Sequence, residues 1–257
     1  MKIACLAAVA LCVAIPAHAE IVTKSIDYKH GDTQLSGYLA YDDAVEGKRP
    51  GVLVVHEWWG LNDYAKKRAR QLAEQGYVAF ALDMYGKGVL AKDRTEAAKM
   101  SNEYKGKPII RTRAKAGYDM LAGHELVDQG RIAAIGYCFG GTTALELSYT
   151  GADLVGVVSF HGGLVAPKSD DKIKAKILAL HGADDPFVPA DQLKAFEQAM
   201  RDSKADWQLV SYGGAVHTFT NPAAGSDNST GSAYNERADR RSWEHMQAFF
   251  GEIFAQK

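Results

Sequence analysis

Apolar residues follow two rhythms along this chain. Residues 21–28 and 34–41 alternate apolar with polar positions, the period of a half-buried strand. His30-Gly31-Asp32 falls between them as the turn of an antiparallel edge hairpin. From Gly51 onward the alternation gives way to short continuous apolar runs at 51–55, 77–82, 131–135, 154–160, 175–180 and 207–212. Such runs read as strands buried on both faces. The segments between them predict helices over 64–75, 93–104, 109–127, 142–149 and 190–200, with a last one over 234–254. Asn62 or Asp63 can cap the first of these and Gly76 can end it. Its Lys66-Lys67-Arg68-Arg70 run reads as a solvated face. Residues 222–232, rich in Gly, Ser, Asn and Ala, read as a long mobile loop. Strands alternating with helices predict an α/β fold: a mainly parallel sheet with helices on both faces, in one domain.

The first 19 residues fall outside that pattern. Lys2 precedes an apolar stretch at 3–15, too short to span a bilayer, and Ala17-His18-Ala19 supplies a small-residue cleavage site. The expectation is a signal peptide over 1–19, a single domain over 20–257, and a periplasmic or secreted protein. Removing the leader takes Cys5 and Cys12 with it, which leaves Cys138 without an intrachain partner. A lone thiol in an oxidising compartment suggests reactivity. A formal net charge of -1 argues against nucleic-acid binding and against a polybasic membrane role. The expected partner is a small molecule and the expected state a monomer, with no cofactor and no metal.

Cys138 sits in Gly136-Tyr137-Cys138-Phe139-Gly140-Gly141, between an apolar strand and a helix. This is the G-x-S-x-G nucleophile elbow with Cys in place of Ser. The turn would raise the sulfur to the carboxyl edge of the sheet, where chemistry gathers in open α/β folds. A helix N-terminus there favours thiolate. Other polar residues placed at that edge are Glu57, Tyr85, His161, His181, Asp184, Asp185 and His217. A thiol nucleophile needs a base in reach and a third group to orient it. Cys138, Asp185 and His217 supply these in the order nucleophile, acid, base. Asp185, which begins Asp185-Pro186-Phe187-Val188-Pro189, is preferred to Asp184, which suits the turn itself.

With these residues in place, the chain resembles the dienelactone hydrolases, which are α/β-hydrolases with a Cys-His-Asp triad. The likeness is carried by His56-Glu57-Trp58-Trp59-Gly60, Asp83-Met84-Tyr85, the elbow, Asp185-Pro186-Phe187-Val188-Pro189 and His217-Thr218-Phe219. It implies that Cys138 is nucleophile, His217 base and Asp185 its orienter. It also implies that Glu57 holds the thiol at rest and that the amides of Phe139 and Trp58 form the oxyanion hole. Lys87 and Tyr85 would contact substrate, while Trp58, Trp59, Phe139, Phe187 and Phe219 would line an apolar cleft. At two positions where the family grips a substrate carboxylate with cations, this chain has Lys87 and Asn221. The implied activity is hydrolysis of an ester or lactone through a thioacyl-enzyme. The alternatives are a thiol-based redox protein and a non-catalytic binding protein on the same fold.

Overall fold

The computed structural model describes residues 20–255, so the expected signal peptide lies outside the described residues. Eight strands form one sheet: β1 (Ile21–His30), β2 (Thr33–Asp42), β3 (Arg49–Val55), β4 (Val78–Leu82), β5 (Val127–Tyr137), β6 (Gly156–Phe160), β7 (Lys176–Gly182) and β8 (Trp207–Tyr212). Their order is β1-β2-β4-β3-β5-β6-β7-β8. Pairing is antiparallel from β1 to β4 and parallel from there to β8. The helices are α1 (Asp63–Ala73), α2 (Arg94–Asn102), α3 (Ile109–Ala122), α4 (Phe139–Ser148), α5 (Ala190–Ser203) and α6 (Glu236–Ala255).

The apolar runs of β3 to β7 are buried on both faces, as the pattern predicts, whereas β8 lies at the edge of the sheet and leaves Gln208 and Ser211 exposed. In β3, Leu53 and Val55 join one core with Leu145 of α4 and Phe196 of α5. Val52 and Val54 point the other way, into a second core with Leu72 of α1 and Phe249 and Phe250 of α6. Each such side chain removed from water contributes about 1.5–3 kcal/mol.

Several boundaries differ from the expectation. The helix predicted over 109–127 stops at Ala122, because Gly123, whose N–H bonds Asp119 O, closes it. Val127 instead opens β5. The register on β3 then jumps from Pro50↔Asp128 to Gly51↔Ile132, so 129–131 bulge out. The Asp128 carboxylate accepts Gly130 N–H across that bulge. The stretch 222–232, expected to be a mobile loop, is built from two capped 3-10 turns, Pro222–Ala224 and Asn228–Thr230. Asn221 and Asp227 cap them through side-chain oxygens, and Gly231 O accepts His217 N–H. In α1, Arg68 is buried rather than solvated, because it shares a face with Ala65 and Leu72.

At the junction of β5 and α4 the packing leaves no room for side chains. A Cβ on Gly136 would lie 2.0 Å from Gly140 O, and one on Gly140 would lie 2.2 Å from Val55 O. Both neighbours are backbone and cannot yield cheaply. Gly140→Ala is expected to lower stability by about 2–4 kcal/mol. A fall in urea midpoint at unchanged m-value would report it.

Candidate active site

Cys138 has φ 55 and ψ -116, a conformation that non-glycine residues rarely adopt. Such backbone costs about 1–3 kcal/mol and persists only where its surroundings hold it. Here Cys138 N–H donates to Phe160 O at 3.0 Å and to His161 Nδ1 at 3.0 Å. His161 is itself at φ 40 and fully buried. Because its Nδ1 accepts, its Nε2 carries the proton and donates to Thr220 Oγ1 at 2.7 Å. Burial, with the charges of His217 and Arg68, pushes the His161 pKa well below the ordinary range and keeps the ring neutral. Thr220 Oγ1 lies 2.6 Å from Tyr64 Oη, which accepts from Arg68 Nε. Arg68 also donates to Thr220 O at 2.9 Å and to Asp239 of α6 at 2.5 Å. A hydrogen-bonded chain thus ties the Cys138 amide to α1 and α6.

On the open side, His217 Nε2 lies 3.0 Å from Cys138 Sγ, and His217 Nδ1 lies 2.7 Å from Asp185 Oδ2. The Asp185 side chain is buried, and its other oxygen accepts Phe187 N–H. Asp184 accepts Gly214 N–H instead, the turn-securing role its sequence context suggests. Burial alone would lower the His217 pKa. The charge of Cys138 and the hydrogen bonds to Asp185 and Cys138 outweigh it and raise the group to about 10. The ring therefore faces the sulfur with a positive charge. The amides of Phe139 and Trp58 make no backbone hydrogen bond among the described residues, so both can donate to an oxyanion.

Glu57 departs from expectation. It makes no hydrogen bond to the sulfur, and its Oε2 accepts from Asn221 Nδ2 at 2.6 Å. Burial raises its pKa to about 7 against the opposing effects of Asn221, His217 and Arg68. His56 Nε2 accepts Met84 N–H, so its Nδ1 donates to Glu57 O at 2.5 Å and steadies that backbone. Lys87 points to the outer hairpin, paired with Asp27 at 2.5 Å. Phe219 does not line a cleft: it is fully buried between His161 and Tyr212. The Phe139 ring is also buried, stacked on Tyr85, so only its amide is left to serve the site. Tyr85 Oη donates to Trp58 O, which makes it a brace for the loop after β3. Trp58 and Trp59 stay half-buried, and Phe187 is exposed beside His217, with ring centroids 5.4 Å apart. His181 Nδ1 is buried without a partner. Among the described residues, no cluster of three or more His, Cys, Asp or Glu is arranged to hold a metal ion.

Sequence reasoning leaves Thr220, Tyr64 and Arg68 out of the site. For Arg68 a signal exists, since it lies three residues after Ala65 and four before Leu72 on the apolar face of α1.

A mostly parallel sheet with an elbow between its central strand and the following helix defines an α/β-hydrolase. The family description "Dienelactone hydrolase family" matches residues 35–254. The chain belongs to the dienelactone hydrolase family and is a hydrolase acting on ester bonds. A relative from Saccharolobus solfataricus that carries the name carboxymethylenebutenolidase is 29% identical over 265 residues, covering 90% of this chain and 98% of its own. Among solved structures, a dienelactone hydrolase-like promiscuous phosphotriesterase from metagenomic libraries superposes with TM-score 0.87 at 42% identity, covering 92% of this chain and 99% of that one. A structure named for a dienelactone hydrolase of Klebsiella pneumoniae gives TM-score 0.75 at 25% identity, covering 93% and 100%.

The value near 7 for Glu57 lies above that of an unfolded glutamate, about 4.3, so the fold favours the protonated form. The stability it lends is complete below about pH 4.3 and is lost as pH rises through 7. Glu57→Gln is therefore expected to match the parent in acid and to exceed it by up to about 4 kcal/mol on the alkaline side. Denaturant titrations at both ends of that range read the difference.

Proposed function

We propose that this protein is an exported, monomeric cysteine hydrolase that cleaves a carboxylic ester or lactone through a thioacyl-enzyme. The observation that carries this reading is the run of contacts from Asp185 Oδ2 to His217 Nδ1 at 2.7 Å and from His217 Nε2 to Cys138 Sγ at 3.0 Å. In the first step the Cys138 thiolate attacks the carbonyl carbon, and the oxyanion that forms faces the amides of Phe139 and Trp58. Collapse expels the alkoxide, which takes the proton from His217 Nε2. His217, now neutral, removes a proton from water as that water attacks the thioester. The acid leaves, and the sulfur departs as thiolate beside the reprotonated ring. Asp185 holds the imidazole in the tautomer both half-reactions use.

A second reading concerns phosphotriesters, which the name of the structural relative at 42% identity mentions for that protein. The same thiolate could displace an aryloxide from a neutral phosphotriester and leave an S-phosphorylated Cys138.

Cys138→Ala is expected to lower hydrolysis of an activated aryl ester by about a thousandfold or more. Acid quenching of the parent enzyme during turnover should leave the mass of one acyl group on the peptide containing Cys138. Comparable turnover by the alanine variant would reject the mechanism.

A further inference from the structure

The Glu57 carboxyl is an unusual group to find buried beside a thiol and an imidazole. It is 1% exposed, and its one side-chain hydrogen bond among the described residues comes from Asn221. The orientation of that amide is fixed. Asn221 Oδ1 accepts Ala223 N–H at 3.0 Å as the cap of the turn at Pro222–Ala224, so Nδ2 faces Glu57. Asn221 N–H in turn donates to Thr218 O, one residue after His217. The donor on Glu57 and the imidazole on Cys138 therefore belong to one short, braced segment.

We propose that Asn221 is the positioning residue for Glu57 and a determinant of substrate charge. Its amide holds the carboxyl off the sulfur, Cys138 rests already paired with His217, and the enzyme takes neutral, apolar esters in preference to anionic ones. This rests on the cysteine-hydrolase reading above.

The surroundings of the site agree. The charged and titratable groups facing Glu57 are His217 on its loop, Arg68 and Tyr64 on α1, and Tyr137 on β5. Arg68 is taken up by Asp239 and Thr220 O, and His217 by Asp185 and Cys138. Lys87, the nearby lysine that sequence suggested, is paired with Asp27. Among the described residues, no further cation lies against Glu57, and a substrate carboxylate at the sulfur would lie near two buried carboxyls, Asp185 behind His217 and Glu57. An added anion there is disfavoured by like charge. The rim is apolar instead. Phe187 is 58% exposed over His217. Val89 and Leu90 are 44% and 47% exposed, on the loop whose Ala91 N–H bonds Trp59 O.

Two measurements test this. The first is alkylation of Cys138 by iodoacetamide, a neutral probe, followed across the neutral pH range. The parent protein is expected to show an inflection near 7 from Glu57, and Glu57→Gln is expected to lack it. Asn221→Asp keeps the cap on Ala223 N–H but loses the donor. Two carboxyls must then share a proton, so the inflection is expected to rise by about one unit or more. Asn221→Ser serves the same purpose should the aspartate variant not fold. An inflection left in place would overturn the positioning role.

The second measurement compares a neutral aryl ester with its carboxylate-bearing analogue. The parent is expected to favour the neutral ester by about tenfold or more in kcat/KM. Asn221→Arg should shift the ratio toward the anion by about tenfold, mostly through KM. A parent that prefers the anionic ester would overturn the specificity claim. Failure to hydrolyse either ester would instead defeat the hydrolase reading, and the alkylation profile would still decide whether Asn221 governs Glu57.

Discussion

The site depends on a backbone held where it would not go by itself. Cys138 occupies the left-handed half of the conformational map, and its amide is fixed by the Phe160 carbonyl and the His161 ring. Glycines at 136 and 140 let α4 press against β3 and β5 closely enough for the turn to close. The sulfur therefore sits at the start of α4, where this backbone and the contact with His217 hold it. The Cys138–His217 contact and the open amides of Phe139 and Trp58 are arranged around that fixed point. Strain of about 1–3 kcal/mol is modest against the burial of two apolar layers.

Around the sulfur, charge is handled by three groups with different tasks. Asp185 is buried and orients His217; His217 faces Cys138; Glu57 sits apart under the amide of Asn221. Burial raises the pKa of Glu57 while the imidazole beside it is held cationic, so near neutral pH the net charge of the cluster turns on this one carboxyl. His161 completes the set by remaining neutral, which lets its Nδ1 serve as an acceptor for the Cys138 amide.

Much of this is legible in the sequence because two signals are local. Continuous apolar runs mark strands covered on both sides, and the glycine spacing about Cys138 marks the elbow. The run at 207–212 even has its limits where β8 has them. What sequence does not reveal arises from contacts between distant residues. Gly123 ends α3 with φ -79, an ordinary helical angle that leaves no left-handed signature to read. Order in 222–232 comes from the Asn221 and Asp227 caps and from the bridge of His217 to Ser232, not from composition. Phe219 and Lys87 have the right chemistry to meet a substrate, but tertiary packing turns one into the core and the other toward Asp27. Glu57 stands where the motif puts it, yet its partner lies 164 residues away.

The chain of bonds from Cys138 through His161, Thr220, Tyr64 and Arg68 ends on Asp239, near the start of the last helix. His217 also comes late in the chain. A ribosome therefore releases the elbow cysteine long before it releases either the imidazole that faces it or the carboxylate that anchors its scaffold. Until the final helix docks, the chain of bonds that holds the Cys138 amide lacks its last anchor. For this fold, the geometry of the elbow is complete only once the end of the polypeptide is in place.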